Sequence, residues 1–252
     1  MRRQGRRALL LALTLALSAC SGDTTFGFPD GATEQGRRVI DVWGVLMFAA
    51  LVVAAIVYAG IAWSVLRYRH RHEDDPHAFG RQFHANVPIE IVYTAVPVLI
   101  IVGLFWISLD ADNDIRELDP APDVVVEATA FAWGWRFEYR DEGVVIVSPP
   151  ATRDEPGPEI VLPLDRTTRV RLTSNDVIHA FWVPSFNFKM DAIPGHVNEF
   201  DITPVERGTF RGVCAEFCGI QHAYMTFQVT TTTAEEFDAW LASRAAEGAT
   251  TG

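Results

Sequence analysis

Cysteine is scarce in this chain, with three in 252 residues: Cys20, Cys214 and Cys218. So few exclude a fold stapled by several disulfides. The chain has no Cys-x2-Cys-His word, so it carries no attached c-type haem. Charge is thin too, at 21% of residues against 49% hydrophobic, and its formal net value is −11. No nucleic-acid partner is expected of such a chain. Internal repeats are absent. What is present divides into three unlike hydrophobic runs and a strand-rich remainder.

The first run joins Arg2, Arg3, Arg6 and Arg7 to a short apolar stretch, Ala8 to Leu17. It is too short to span a bilayer and has the plan of an export signal. The run closes on Leu17-Ser18-Ala19-Cys20, which is similar to a bacterial lipoprotein box. Residues 1–19 are therefore expected to be a lipoprotein-type signal peptide, with Cys20 the lipidated first residue after cleavage. The runs Val42 to Leu66 and Ile91 to Leu109 contain no charge, and each reaches the ~20 residues of a membrane helix. Between them lie Arg67, Arg69, Arg71 and Arg81, and basic short loops stay in the cytoplasm. Residues 20–41 are then a short external segment, 42–110 a transmembrane hairpin with cytoplasmic loop 67–87, and 111–246 an exported domain. Arg37 and Arg38 run against this order and are diluted by Asp23, Asp30, Glu34 and Asp41.

Beyond Asp123 the sequence breaks into short β-branched runs separated by Pro, Gly and Asp: Val124 to Ala130, Val144 to Val147, Thr168 to Thr173 and Phe227 to Thr232. Such spacing predicts a β-sandwich or Greek-key barrel. Ser148 to Pro158 reads as an exposed loop. Thr233-Ala-Glu-Glu236 has the form of a capping box, opening a terminal helix that presents Phe237, Trp240 and Leu241 on one face. Residues 247–252 read as a tail. The fold class expected is a membrane-anchored α+β chain, a two-helix hairpin followed by an exported all-β domain with a C-terminal helix.

One stretch gathers unusual chemistry: Cys214-Ala-Glu216-Phe-Cys218-Gly-Ile-Gln-His222-Ala-Tyr-Met225, preceded by His179 near the end of the strand-like run Thr168 to Ile178. Two thiols, two imidazoles and a thioether form a soft donor set suited to copper electron transfer. One thiolate suffices for a single copper, whereas two in one loop can bridge a pair. Two other readings stay open on the residues alone. In an oxidising compartment Cys214 and Cys218 could form a disulfide, and Cys with His could hold structural zinc, which has little use for Met225.

Several words in order carry a resemblance. They are Val87-Pro-Ile-Glu90, Phe131-Ala-Trp133-Gly-Trp135-Arg-Phe-Glu138-Tyr, Asp176-Val-Ile-His179-Ala-Phe-Trp-Val-Pro-Ser, Lys189-Met-Asp-Ala-Ile-Pro194-Gly and the loop Cys214 to Met225. Together with the hairpin they resemble subunit II of cytochrome c oxidase over nearly the whole chain, so the exported domain is expected to be cupredoxin-like. The resemblance implies two coppers bridged by Cys214 and Cys218, with His179 and His222 completing the ligation. Met225 caps one metal and the Glu216 carbonyl the other. It also implies a magnesium ion held by the Glu216 side chain at the boundary with subunit I, and Trp133 as the place where electrons arrive from cytochrome c. Glu90 would stand at the mouth of a proton path. A haem-bearing subunit I, subunit III and membrane lipid are the implied partners, in a bacterial inner membrane with the copper domain outside.

Each of these roles has a plainer counterpart: Glu216 as a solvated loop carboxylate, Met225 and Trp133 as core residues, Glu90 as a headgroup-level acid. From Asp110 onward 24 Asp and Glu stand against 11 Lys and Arg, a difference of −13, which suits a basic partner. Glu138, Asp141, Glu142 and Asp176 are the docking candidates. Gly134 departs from the family, which usually has an aromatic residue there. A quinol-oxidase subunit would have lost the copper ligands, and a copper-delivery protein would need neither Trp133 nor the hairpin.

Overall fold

The computed structural model describes residues 25–69, 83–148, 152 and 157–250, the side chains of 248–250 excepted. The expected signal peptide, Cys20 and most of the Arg-rich loop lie outside the described residues.

Among the described residues two long helices come first, α1 (Glu34–Tyr68) and α2 (Val87–Arg116). Each contains its expected uncharged run and extends past it by polar turns. Their central windows have mean hydropathies of 2.6 and 2.3 and are wholly uncovered by the rest of the chain. At 1.5 Å per residue they measure about 52 and 45 Å, more than the ~30 Å of hydrocarbon. The surplus turns meet at one end of the hairpin, where Arg38 Nη2 pairs with Asp110 at 2.9 Å and Asp114 at 2.8 Å. Both starts are capped: Thr33 Oγ1 accepts from the Gly36 N–H at 2.9 Å, and Asn86 Oδ1 from that of Ile89 at 3.4 Å.

Ten strands follow: β1 (Val124–Phe131), β2 (Gly134–Tyr139), β3 (Val144–Val147), β4 (Glu159–Pro163), β5 (Thr168–Ser174), β6 (His179–Val183), β7 (Phe188–Ala192), β8 (Asn198–Ile202), β9 (Gly208–Cys214) and β10 (Thr226–Thr232). They form two five-stranded sheets, ordered β3-β2-β1-β5-β8 and β4-β10-β9-β6-β7. Pairing is antiparallel except at β1–β5 and β10–β4. Burial alternates along β1 and β5, sending Val124, Val126, Ala128, Val170 and Leu172 inward. This period of two is what a half-covered sheet requires. Between the sheets lies an aromatic core, with Phe181 4.6 Å from Phe227 and Trp135 5.2 Å from Phe227, centroid to centroid.

The final helix, α3 (Ala234–Thr250), opens with the expected capping box: Thr233 Oγ1 accepts from the Glu236 N–H at 3.3 Å and Glu236 Oε2 from the Thr233 N–H at 3.1 Å. It runs to Thr250, into the stretch read as a tail, because Ala245, Ala246 and Glu247 favour helix and the single Gly248 costs only about 1 kcal/mol. Phe237 and Leu241 are buried, and Trp240 stacks edge-on to Tyr139 at 5.3 Å.

Candidate metal centre

β9 ends on Cys214 and β10 begins just after Met225, so the intervening loop closes an antiparallel pair of strands. The Cys214 N–H donates to the Met225 carbonyl at 2.9 Å and shuts its base. His179 is brought to the same end by β6, whose Phe181 stands opposite Cys214. It opens β6 rather than ending the preceding run, because β5 stops at Ser174 and the turn 175–178 reverses the chain.

The donors converge. The two Sγ atoms lie 3.8 Å apart, well beyond the ~2.05 Å of a disulfide, and both cysteines are free. Cys214 Sγ is 3.7 Å from His179 Nδ1, and Cys218 Sγ is 3.5 Å from His222 Nδ1. The Cys214 thiol donates to the Glu216 carbonyl at 3.3 Å, while Cys218 Sγ meets Met225 Sδ at 3.8 Å. Each sulfur therefore has one imidazole and one weaker donor of its own. Cys214, Cys218, His179 and Met225 are buried, whereas His222 is half-buried with the Phe217 ring edge-on to it at 5.7 Å.

Electrostatics at the two thiols differ. Burial works against a thiolate at Cys214, but the His179 imidazole and backbone hydrogen bonds outweigh it, and the thiol titrates at about 7. Cys218 is pushed up to about 12, by burial and by its charged neighbour Cys214. A cation among these donors replaces both protons.

Behind the donors stands Asp176. Its carboxylate takes the His179 Nε2–H at 2.8 Å, the Ala132 N–H at 2.6 Å and the Val177 N–H at 2.7 Å. Burial raises its titration, and these three bonds bring it below the ordinary aspartate range. His179 is shifted the other way: burial lowers it, and Cys214 and Asp176 more than compensate. A carboxylate on the far nitrogen fixes a ligating imidazole's tautomer and orientation. Asp176 thus orients the His179 ring while its own side chain stays 37% exposed at the surface.

Trp133, half-buried in the turn after β1, donates its indole N–H to the Cys218 carbonyl at 3.0 Å. Gly219 makes that approach possible. Its φ is +120°, and a Cβ there would sit 3.2 Å from the indole ring. Of the other members of the aromatic word, Trp135, Phe137 and Tyr139 point into the core and Phe131 is half-buried. Gly134 has no room for an aromatic side chain, since a Cβ would lie 2.4 Å from Ser148 Oγ and 2.8 Å from the Phe131 ring.

The other sequence candidates are scattered. Glu138 pairs with Arg136 at 2.6 Å on the outer face of its sheet. Asp141 and Glu142 lie in the turn after β2, one strand, about 17–20 Å, from the Trp133 end. Glu90 sits in the first turn of α2, where its Oε1 accepts from the Asn86 N–H at 2.9 Å. The Glu216 side chain is exposed, and among the described residues the cluster of metal-capable groups is His179, Cys214 and Cys218, without that carboxylate.

Comparison with known proteins decides the family. Residues 124–232 match the family described as cytochrome C oxidase subunit II, periplasmic domain, and residues 21–111 match its transmembrane domain. A probable cytochrome c oxidase subunit 2 from Streptomyces avermitilis is 35% identical across 99% of this chain and 90% of its own length. The chain belongs to the cytochrome c oxidase subunit II family. Cytochrome c oxidase subunit 2 of Mycobacterium tuberculosis is 31% identical over 97% of this chain and 82% of that protein. Among solved structures, the periplasmic domain of subunit II of cytochrome oxidase (CoxB) from Bradyrhizobium japonicum is similar at 33% identity. It covers 52% of this chain and 99% of that domain, with a TM-score of 0.48. This subunit II chain is therefore a membrane-anchored, electron-accepting part of a terminal oxidase, an oxidoreductase, with two apolar helices and a cupredoxin-like periplasmic domain. Family membership implies copper, and the mostly buried N/S donor set fits it: thiols and a thioether are soft ligands, and imidazole suits copper too.

Proposed function

We propose that this chain carries a dinuclear copper centre, held by Cys214, Cys218, His179, His222, Met225 and the Glu216 carbonyl. The observation that carries the reading is the near-symmetry of the donors. Two buried sulfurs 3.8 Å apart each have an imidazole, at 3.7 and 3.5 Å, and each has one weak donor beyond it. A mononuclear site has no use for that duplication. Bound there, a copper pair would supply a one-electron carrier between a cytochrome c and the haem of the large membrane subunit, where oxygen is reduced and protons are pumped.

The chain's own residues have distinct tasks. Asp176 holds the His179 ring, and the aromatic core beneath β6 and β9 keeps the sulfurs in place, so the donors move little between redox states. Trp133 reaches from the surface to the Cys218 carbonyl and offers the donor protein a short route inward. The exported region's excess of negative charge suits a basic cytochrome, speeding encounter. Exposed Phe217 and Ile220 on the copper loop give an apolar face for the haem-bearing subunit. We assign the Glu216 carboxylate to a magnesium ion shared with that subunit, and Glu90 to the mouth of its proton path. We assign Cys20 to lipid on the outer face of a bacterial inner membrane.

Oxygen uptake by the assembled oxidase tests this, with reduced cytochrome c as donor and Cys218→Ser in place of the native chain. Turnover is expected to fall by at least about 100-fold while haem content is kept, as for loss of a group that positions the reacting centre. Undiminished turnover would contradict the proposal.

A further inference from the structure

The exported domain is tied to the hairpin by two straps that converge on one short segment, residues 201–205. The first strap precedes α1. The Ala32 N–H donates to the Ser185 carbonyl at 2.8 Å, that of Val205 to the Ala32 carbonyl at 2.9 Å, and that of Glu34 to the Thr203 carbonyl at 3.0 Å. Gln35 Oε1 then accepts from the Thr203 N–H at 3.1 Å. Asn187 Nδ2 donates to the Pro29 carbonyl at 2.9 Å. Gly36 closes the contact, since a Cβ there would be 2.5 Å from the Phe186 carbonyl oxygen.

The second strap follows α2. Three residues past its end, the Asp119 N–H donates to Asp201 Oδ2 at 2.7 Å and its carbonyl accepts from Arg169 Nη2 at 2.6 Å. Arg169 and Asp201 are themselves joined by two bonds of 2.8 Å, with Asp201 buried. Both legs of the hairpin are thus fastened to β8 and its exit, and Arg38 fastens the legs to each other through Asp110 and Asp114.

This joint stands close to the metal centre. The turn Pro184–Phe186 that receives the first strap directly follows β6, and β6 begins with His179. One strand of five residues, roughly 16–17 Å at about 3.3 Å per residue, separates ligand from joint. Chain connectivity alone would leave the domain free to tilt, because only the α2 leg runs covalently into it. Hydrogen bonds on both legs remove that freedom.

We infer that Gln35 and Asn187 are positioning residues: they hold the copper domain at one attitude over the hairpin, so the spacing from the metal centre to its acceptor in the membrane partner is set within this chain. The inference rests on the copper reading above for its electron-transfer consequence, and on the hydrogen bonds alone for the joint itself.

The test uses the assembled oxidase with Gln35→Ala and Asn187→Ala together, and separately with Gln35→Glu, which keeps an acceptor for the Thr203 N–H. Hydrogen exchange at Glu34, Thr203 and Val205 is expected to rise about tenfold or more in the double variant. Copper count, copper spectrum and the rate of reduction by cytochrome c should stay native, while transfer from copper to haem slows about tenfold. Gln35→Glu should restore protection and rate. Exchange that does not rise would overturn the joint, and an unchanged onward rate despite faster exchange would overturn its positioning role. So would copper content falling together with the rate, which marks a merely structural part. A native oxidase with no two-copper signal overturns the copper reading and the electron-transfer consequence, while exchange still reports on the joint.

Discussion

His179 carries its imidazole between partners of opposite kind, the Cys214 thiol on Nδ1 and the Asp176 carboxylate on Nε2. Replacing that carboxylate by an amide leaves the shape and removes the charge that holds the ring. Asp176→Asn is expected to weaken copper binding by about 10–100-fold, read by competition with a chelator of known affinity; native affinity would show that the ring is held by packing alone. That Cys214, Cys218, His222 and Met225 come together was legible in the sequence because they fall within one loop, where local spacing decides which side chains can meet; the Glu216 carbonyl came from the resemblance alone. Asp176 was not legible as the residue that orients His179. Its spacing from His179 looks the same whether the carboxylate turns inward or faces solvent, and only the turn after β5 decides. Gly219 was equally silent, since its positive φ and the indole packed against it arise from a contact with Trp133, far away in the chain.

Among the elements, the strands show how period-two patterning translates. The run Val144 to Val147 is β3 to the residue, and β1, β5 and β10 each differ from expectation by a residue at one end. Strand pairing was beyond reach: nothing local says that β1 runs parallel to β5 or β10 to β4. The helices were legible in kind and short in extent, because hydropathy marks where lipid begins and caps mark where the backbone turns. At α3 the capping box sets a pH dependence. The Glu236 carboxylate is held below the ordinary glutamate range, first by the Thr233 N–H and then by Arg207. A depressed folded value means stabilisation that is present above the ordinary glutamate range and lost as pH falls through the depressed value. Acidification is therefore expected to speed amide exchange in the first turn of α3, and Glu236→Gln should flatten that pH response. A native pH response in Glu236→Gln would assign the fraying to another group.

At the scale of the whole molecule, the chain sets its metal centre apart from the bilayer and then fixes it there. In the proposed function the acidic exported region would face a soluble donor and the uncovered apolar helices lipid and the large subunit, while the joint at residues 201–205 ties the exported domain to the hairpin. That joint links residues more than 150 positions apart in sequence, such as Gln35 and Thr203, so no local pattern announces it. The proposed electron relay depends on two metals sharing one site. The most direct test is the electron paramagnetic resonance spectrum of the copper-loaded chain, recorded with a copper count. The account predicts two coppers per chain sharing a single unpaired electron. One copper, a preference for zinc, or a Cys214–Cys218 disulfide that excludes metal would contradict it.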